Sequence, residues 1–426
     1  MDKKEARKII LHEIATRNII LFGVGIVAEE FYEEFHDQLN IVCCMTNYSK
    51  EWGEKRFLER LDVRGYTPED ISNDDYIIIC SYFSFNSIDR QLTLDGLKPF
   101  SDFISSGIAA AVYNRRKIAL FYGSCILRDV YKNISMVPKF TSEFYSIFVQ
   151  ASKDPMAIML SRELMYAKLL CDICIYMPRI MEKDSTFNVT QEMFSKDCKL
   201  VSVSNLVVPI YWPNVKSRLY ARNPEYIYPY NSKRDLNFFH TLYRKEDVNI
   251  NKLVENGLST ADIIKVLSSE DFYSEQQVLR KVKTTFHISE LGEEGMDVKI
   301  VEYIKDNYQR EMLYQNYVHP NRPIIWKLIE GILNCIGITD SSLSACELSA
   351  PYHPHQSGDV PIYPSVVKHM RLDFITPEHK YEIMTADGIK LMDFKEYVEH
   401  YAEYTRVSIK IRGLWNNAVD RKVWQN

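Results

Sequence analysis

No stretch of this 426-residue chain approaches the ~20 consecutive apolar residues that a membrane-spanning helix needs. The opening residues, M-D-K-K-E-A-R-K-I-I, also lack the uninterrupted apolar core of a secretory signal, so a cytoplasmic chain is expected. An excess of basic charge is missing too. The formal net charge is −5, which carries no electrostatic footprint for nucleic acid. Cysteine occurs at nine positions, an odd number without regular spacing, which speaks against a disulfide framework and for a reducing compartment. Cys171-Asp-Ile-Cys174 has no second pair to complete a zinc site and reads as packing. His353-x-His355 lacks a third ligand at recognisable spacing, so no metal is expected. Disorder is excluded by a hydrophobic fraction of 46% beside 26% charged residues.

What remains is a soluble chain too long for one ordinary domain. Lys3 to Arg17 has the apolar spacing of an amphipathic helix. Asn18–Phe22, Ile41–Thr46 and Asp75–Ser81 read as strands, with a helix over Ile26–Phe35 between the first two. Strands alternating with helices predict a parallel α/β sheet, and the first domain is placed at residues 1–113. Gly23-x-Gly25-x-x-Ala28 fits the dinucleotide fingerprint, following a strand and opening a helix. The acidic residue that would hold a ribose is missing, since the second strand ends in Met45-Thr46-Asn47, so NAD is not supported. Close helix–sheet packing explains the same glycines as well as a ligand does.

A second α/β domain is expected over residues 117–379 after the charged break Arg115-Arg116-Lys117, with a hairpin and helix extension over 380–426. Its first strand, Ile118–Tyr122, stops at Gly123-Ser124-Cys125, and a helical pattern starts at Ile126. A strand that hands a nucleophile-type side chain to a helix N-terminus offers unpaired N–H groups and a dipole that favours negative charge. Further strands are expected over Asp172–Met177 and Leu200–Val208, and helices over Asp154–Leu170, Asp297–Met312 and Ile324–Ile336. The Pro- and Tyr-rich stretch from Pro209 to Tyr230 is too long for a simple connection. Its Lys216, Arg218 and Arg222 suit phosphates, or a solvated basic loop. His319 sits before Pro320 in a turn between two helices, where a base can be aimed.

Two resemblances add to this reading. The blocks I-I-L-F-G-V-G-I-V-A-E-E-F, T-N-Y-S-K-E-W-G and D-D-Y-I-I-I-C-S resemble a small Rossmann-like module found beside sugar-modifying enzymes. That resemblance implies a nucleotide or nucleotide-sugar site near Gly23, Gly25 and Asn47. The later blocks F-Y-G-S-C, C-D-I-C-I-Y-M-P, V-S-V-S-N-L, D-V-K-I-V-E-Y-I and Y-V-H-P-N resemble the WcbI-type polysaccharide biosynthesis proteins, acetyltransferases of bacterial capsule assembly. This second resemblance implies a CoA-binding α/β domain with many helices that acetylates a capsular or lipopolysaccharide sugar. The family's Gly-Asn-Cys-Gln motif corresponds here to Gly123-Ser124-Cys125-Ile126, so two amides are replaced. Carried over, Cys125, Ser124 and His319 become catalytic candidates, and Gly123 and Asn321 join the cofactor candidates. An esterase using the same Cys/His pair, and a non-catalytic binding protein of polysaccharide assembly, stay open beside the transferase. So does a homo-oligomer.

Overall fold

The computed structural model describes residues 1–47, 56–81, 84–151, 162–178, 189–204, 208–213, 215–217, 245–354, 358–385 and 388–407. The chain divides into two compact units. One holds residues 1–205, 295–299 and 328–349, and the other holds 206–294, 300–327 and 350–426. The break expected near residue 115 falls inside the first unit, and the 380–426 extension belongs to the second.

The first unit contains two parallel sheets. In the first sheet, β1 (Asn18–Phe22), β2 (Ile41–Thr46), β3 (Val63–Gly65), β4 (Asp75–Ile79) and β5 (Phe103–Ser105) lie in the order β3-β2-β1-β4-β5. Runs such as Ile77-Ile78-Ile79 are buried throughout because helices cover both faces. Those helices include α1 (Lys3–Thr16), N-capped by Asp2, α2 (Ile26–Phe35), α3 (Phe85–Leu94) and α4 (Ser106–Tyr113). The short strands β3 and β5 carry too few residues to show a period, and sequence reading missed both.

The second sheet follows without a linker. It comprises β6 (Lys117–Gly123), β7 (Phe144–Gln150), β8 (Ile173–Tyr176) and β9 (Lys199–Ser202), in the order β7-β6-β8-β9. Around it run α5 (Cys125–Ile134), α6 (Pro138–Glu143) and α7 (Arg162–Leu170); the expected helix residues 154–161 lie outside the described residues. Two features weld the sheets together. A Cβ at Gly107 of α4 would meet the Tyr145 hydroxyl of β7 at 1.8 Å, so only glycine lets the two elements approach. On the β8 side, Asp172 takes Arg7 at 2.6 Å, Lys3 at 3.0 Å and the Ile118 backbone N–H at 2.8 Å. One carboxylate thus ties α1 to the amino ends of β6 and β8, and the stretch that reads as two domains folds as one body.

Residues 295–299 extend the open edge of β9. Val203 bridges Val298, and Asp297 accepts the Ser202 backbone N–H and hydroxyl at 2.8 and 2.7 Å. This is why the helix expected over Asp297–Met312 shrinks to α11 (Val301–Asn307). Within the second unit the Glu293 carboxylate receives the N–H groups of Ile300 and Val301 and fixes that helix start.

The second unit is mostly helical. After the strand pair β10 (Val215–Ser217) and β11 (Lys245–Asp247) come α8 (Val248–Glu255), α9 (Thr260–Leu267) and α10 (Glu275–Gly292). Ser259 caps α9, and Ser274 with Gln277 forms a capping box on α10. Helix α12 (Arg322–Ile336) passes from one unit to the other at Lys327/Leu328, and α13 (Leu343–Ser349) belongs to the first unit. The second unit closes with α14 (Pro364–Met370), the expected hairpin of β12 (Tyr381–Thr385) and β13 (Gly388–Met392), and a helix over 394–407. Among the described residues, no helix is long and apolar enough to cross a membrane.

Candidate functional site

Each sheet of the first unit reverses its strand order beside one strand, and each reversal carries a sequence-predicted turn. In the second sheet the strand is β6, with β7 on one side and β8 on the other. Ligands of open α/β sheets bind outside the carboxyl ends of the strands at such a switch point. Gly123-Ser124-Cys125 lies there. Ser124 is the extended N-cap of α5 and makes no capping bond with its side chain. Its hydroxyl instead lies 3.7 Å from the Met177 sulfur, just past the end of β8.

Cys125 is half-buried, and competing influences act on its thiol. Burial pushes the pKa up, and the Asp129 carboxylate adds to that. The backbone N–H groups of Ile126 and Cys125 and the Arg128 guanidinium pull it down, but the net direction is upward. The helix N-terminus thus offers its donors to an anion without making a standing thiolate. Arg128, one turn into α5, has a buried Nε with no hydrogen-bond partner. Sequence reading passed over Arg128 because a lone arginine in a helical pattern carries no signal. Met177 was passed over because it meets Ser124 only through the pairing of β6 with β8.

The first sheet switches between β1 and β4; Gly23 and Gly25 follow the end of β1, and Asn47 follows the end of β2. A Cβ at Gly23, which has φ +143°, would sit 2.5 Å from the Cys80 carbonyl oxygen. Packing against β4 therefore accounts for this glycine in full. Gly25 has open space around it, and Asn47 pairs with Gln91 at 2.9 Å.

His319 and Asn321 belong to the second unit, whereas Cys125 belongs to the first. The His319 backbone is fixed, its N–H donating to Asn316 Oδ1 at 3.1 Å and its carbonyl accepting from Gln315 at 3.0 Å. Asn321, expected on the cofactor, is fully buried and spends its amide internally. Its Nδ2 donates to the Met312 carbonyl, and its Oδ1 lies 2.8 Å from His353 Nδ1. His353, from the His353-x-His355 pair in which no metal is expected, is thus held by an amide; His355 lies outside the described residues. Lys216 is described only as backbone in β10, and Arg218 and Arg222 lie outside the described residues. Among the described residues no group of three or more His, Cys, Asp or Glu side chains is arranged for a metal. A broad cleft lined by Lys3, Arg7, Lys168, Asp172 and Asp197 opens at the amino ends of the second sheet, the edge opposite Cys125.

Together these features define an α/β protein with a cysteine-bearing strand-to-helix turn at the switch point of a parallel sheet. Residues 172–341 match the family model described as "Polysaccharide biosynthesis enzyme WcbI", and that stretch is similar to this family. The matched stretch includes His319 and Asn321 and begins after Cys125. A solved structure of WcbI shares the fold with a TM-score of 0.51 at 15% identity, over 72% of this chain and 96% of that one. That protein is described as a novel polysaccharide biosynthesis enzyme, in its native form without a disulfide bond between CoA and a cysteine. No curated protein matches the chain.

Proposed function

We propose that this chain transfers an acetyl group from acetyl-CoA to a sugar hydroxyl in capsular or lipopolysaccharide assembly, with CoA held at the β6–α5 turn. One observation carries the reading: the turn sets a half-buried cysteine, helix N–H donors and a buried, unpartnered Arg128 Nε beside a sheet switch point. These groups fit a thioester with phosphates attached. The CoA and cysteine in the description of the WcbI structure point the same way. Acetyl-CoA would supply the activated acyl group. The N–H groups of the turn would take the negative charge that develops on the acyl oxygen, and Arg128 would meet a phosphate. A hydroxyl acceptor also needs a base, for which sequence nominates His319 of the second unit.

The raised thiol of Cys125 favours a direct transfer in which Cys125 lines the acyl pocket, over a covalent route through its thiolate. A thiol whose pKa is raised is protonated further up the pH scale. Alkylation of Cys125 by iodoacetamide should therefore be slower than for a free thiol at neutral pH, and should still climb where a free thiol has levelled off. Radiolabelled acetyl-CoA incubated with the full chain and candidate sugars is expected to give labelled sugar, and Cys125→Ser should keep turnover within about tenfold. Loss of turnover in that variant, with an acetyl group trapped on Cys125 by mass spectrometry, would establish the covalent route instead. Deacetylation of acetylated sugars without CoA would favour the esterase.

A further inference from the structure

Two thiols lie against each other in the first unit, at the end of the second sheet away from the Cys125 turn. Cys171 follows α7 and leads into β8, and Cys198 leads into β9. Their sulfurs are 3.4 Å apart, and the residues are 0% and 3% exposed. The parallel pairing of the two strands holds them there. Ile173 sits opposite Lys199, and the Lys199 backbone N–H donates to the Asp172 carbonyl at 2.9 Å. The partners are 27 positions apart, so the pair is not the Cys171-Asp-Ile-Cys174 motif of the sequence; Cys174 lies inside β8.

The surroundings distinguish the two sulfurs. Lys3 Nζ reaches the Cys171 carbonyl at 3.4 Å, the Asp172 carboxylate at 3.0 Å and the Asp197 carboxylate at 2.7 Å, so a fixed cation stands beside both cysteines. Gln191 Nε2 donates to the Cys198 carbonyl at 3.1 Å and holds that residue in place. The hydrogen bond from the Cys171 thiol lowers the Cys198 pKa, and the Lys3 charge adds to that, against burial and the charges of Asp172 and Asp197. The same hydrogen bond, with burial, raises Cys171. Cys198 is therefore the sulfur that gives up its proton, and Cys171 the one that keeps it. Asp172 and Asp197, the sequence neighbours of the two cysteines, line the broad cleft at this end of the sheet. That cleft brings a small reagent to within one residue of each sulfur.

We propose that Cys171 and Cys198 form an oxidation site for small hydroperoxides, with Cys198 as the attacking thiol and Cys171 as the resolving one, and that the site closes to a disulfide. The Cys198 thiolate attacks one oxygen of hydrogen peroxide. The S–O bond forms as the O–O bond breaks, and the departing hydroxide takes a proton to become water. Cys198 is then a sulfenic acid. The Cys171 sulfur attacks the Cys198 sulfur, its proton goes to the departing hydroxyl, and a second water leaves. Two thiols have given up two electrons, and one peroxide has taken them. A dithiol reductant opens the bridge again by exchange, so in a reducing compartment the pair rests as thiols. The bridge joins the start of β8 to the start of β9 and closes the chain between them into a loop. The site stands apart from the acyl-transfer reading and uses none of its residues.

The test treats the full chain with graded hydrogen peroxide and stops the reaction with catalase. Remaining thiols are blocked with N-ethylmaleimide in denaturant, and peptides are mapped by mass spectrometry without reductant. The expected product is a peptide pair joined through Cys171 and Cys198, lighter than the two free peptides by two hydrogens and separated by dithiothreitol. It should form at doses that leave the half-exposed Cys335 and Cys346 as maleimide adducts. Dimedone should trap a sulfenic acid on Cys198 in Cys171→Ser, and nothing on Cys171 in Cys198→Ser. A bridge from either cysteine to Cys174 overturns the proposal. So does recovery of Cys171 and Cys198 as maleimide adducts at doses that already oxidise Cys335 and Cys346. Dimedone on Cys171 in Cys198→Ser, with none on Cys198 in Cys171→Ser, overturns the assigned roles. The wild-type peptide map decides the bridge whether or not either variant folds.

Discussion

Replacing Asp89 with alanine is expected to destabilise the first unit by about 2–4 kcal/mol, the cost of removing a buried carboxylate that accepts from two side chains. Asp89 has no exposed surface and lies on α3, a helix of the first sheet. Its partners come from α7, in the crossover of the second sheet. Arg162 Nε donates at 2.6 Å, and the Tyr166 hydroxyl donates to the other carboxylate oxygen. Arg162 is itself held by Thr93 and Asn86, and Tyr166 packs edge-on against Phe85 and Phe100. Truncation would leave the buried Tyr166 phenol without its acceptor and the part-exposed Arg162 guanidinium without its counterion. Asp89→Asn keeps an acceptor for the phenol and should cost about half as much. Urea midpoints by circular dichroism measure both; equal and small losses would mean that the two sheets are held together elsewhere.

The second large effect concerns the site. Arg128→Ala is expected to weaken CoA binding about ten- to hundredfold, the worth of one charge-assisted hydrogen bond to a phosphate. The buried, unpartnered Nε makes Arg128 a donor with unused capacity, and its position one turn after Cys125 places it beside the helix N-terminus. Gly25→Ala, at the other switch point, puts a methyl group into open space and should leave CoA affinity unchanged. Calorimetry on the full chain reads both. A loss in Gly25→Ala with none in Arg128→Ala would assign CoA to the wrong turn here and the right one in the first sheet.

Much of the first unit was legible from local pattern. β1, α2 and β2 fall where the apolar periods put them, and the strand–Gly-Ser-Cys–helix turn folds as it reads. What escaped depends on contacts between residues far apart in the chain. Asp172, Gly107 and Asp89 join the two sheets into one unit through partners that no window of sequence contains. The helix expected from Asp297 starts four residues late because Asp297 is spent on Ser202 and Glu293 caps the chain at Ile300. The role of His353 gave no sequence signal because its partner Asn321 lies 32 residues away. The sequence pattern also offered Gly23 as a ligand-binding glycine, where a carbonyl oxygen of β4's end already explains it.

The central claim is that CoA docks at the Cys125 turn, and chemical proximity tests it most directly. Oxidised CoA, mixed with the full chain at mildly alkaline pH, exchanges with a nearby thiol to give a protein–CoA mixed disulfide and free CoA. Cys125, Cys335 and Cys346 are all half-exposed, so accessibility alone does not choose among them. Peptide mass spectrometry should find the adduct first on Cys125, and excess acetyl-CoA should block it. An adduct on Cys335 or Cys346 with Cys125 untouched, or labelling of Cys125 that acetyl-CoA does not slow, would contradict the account.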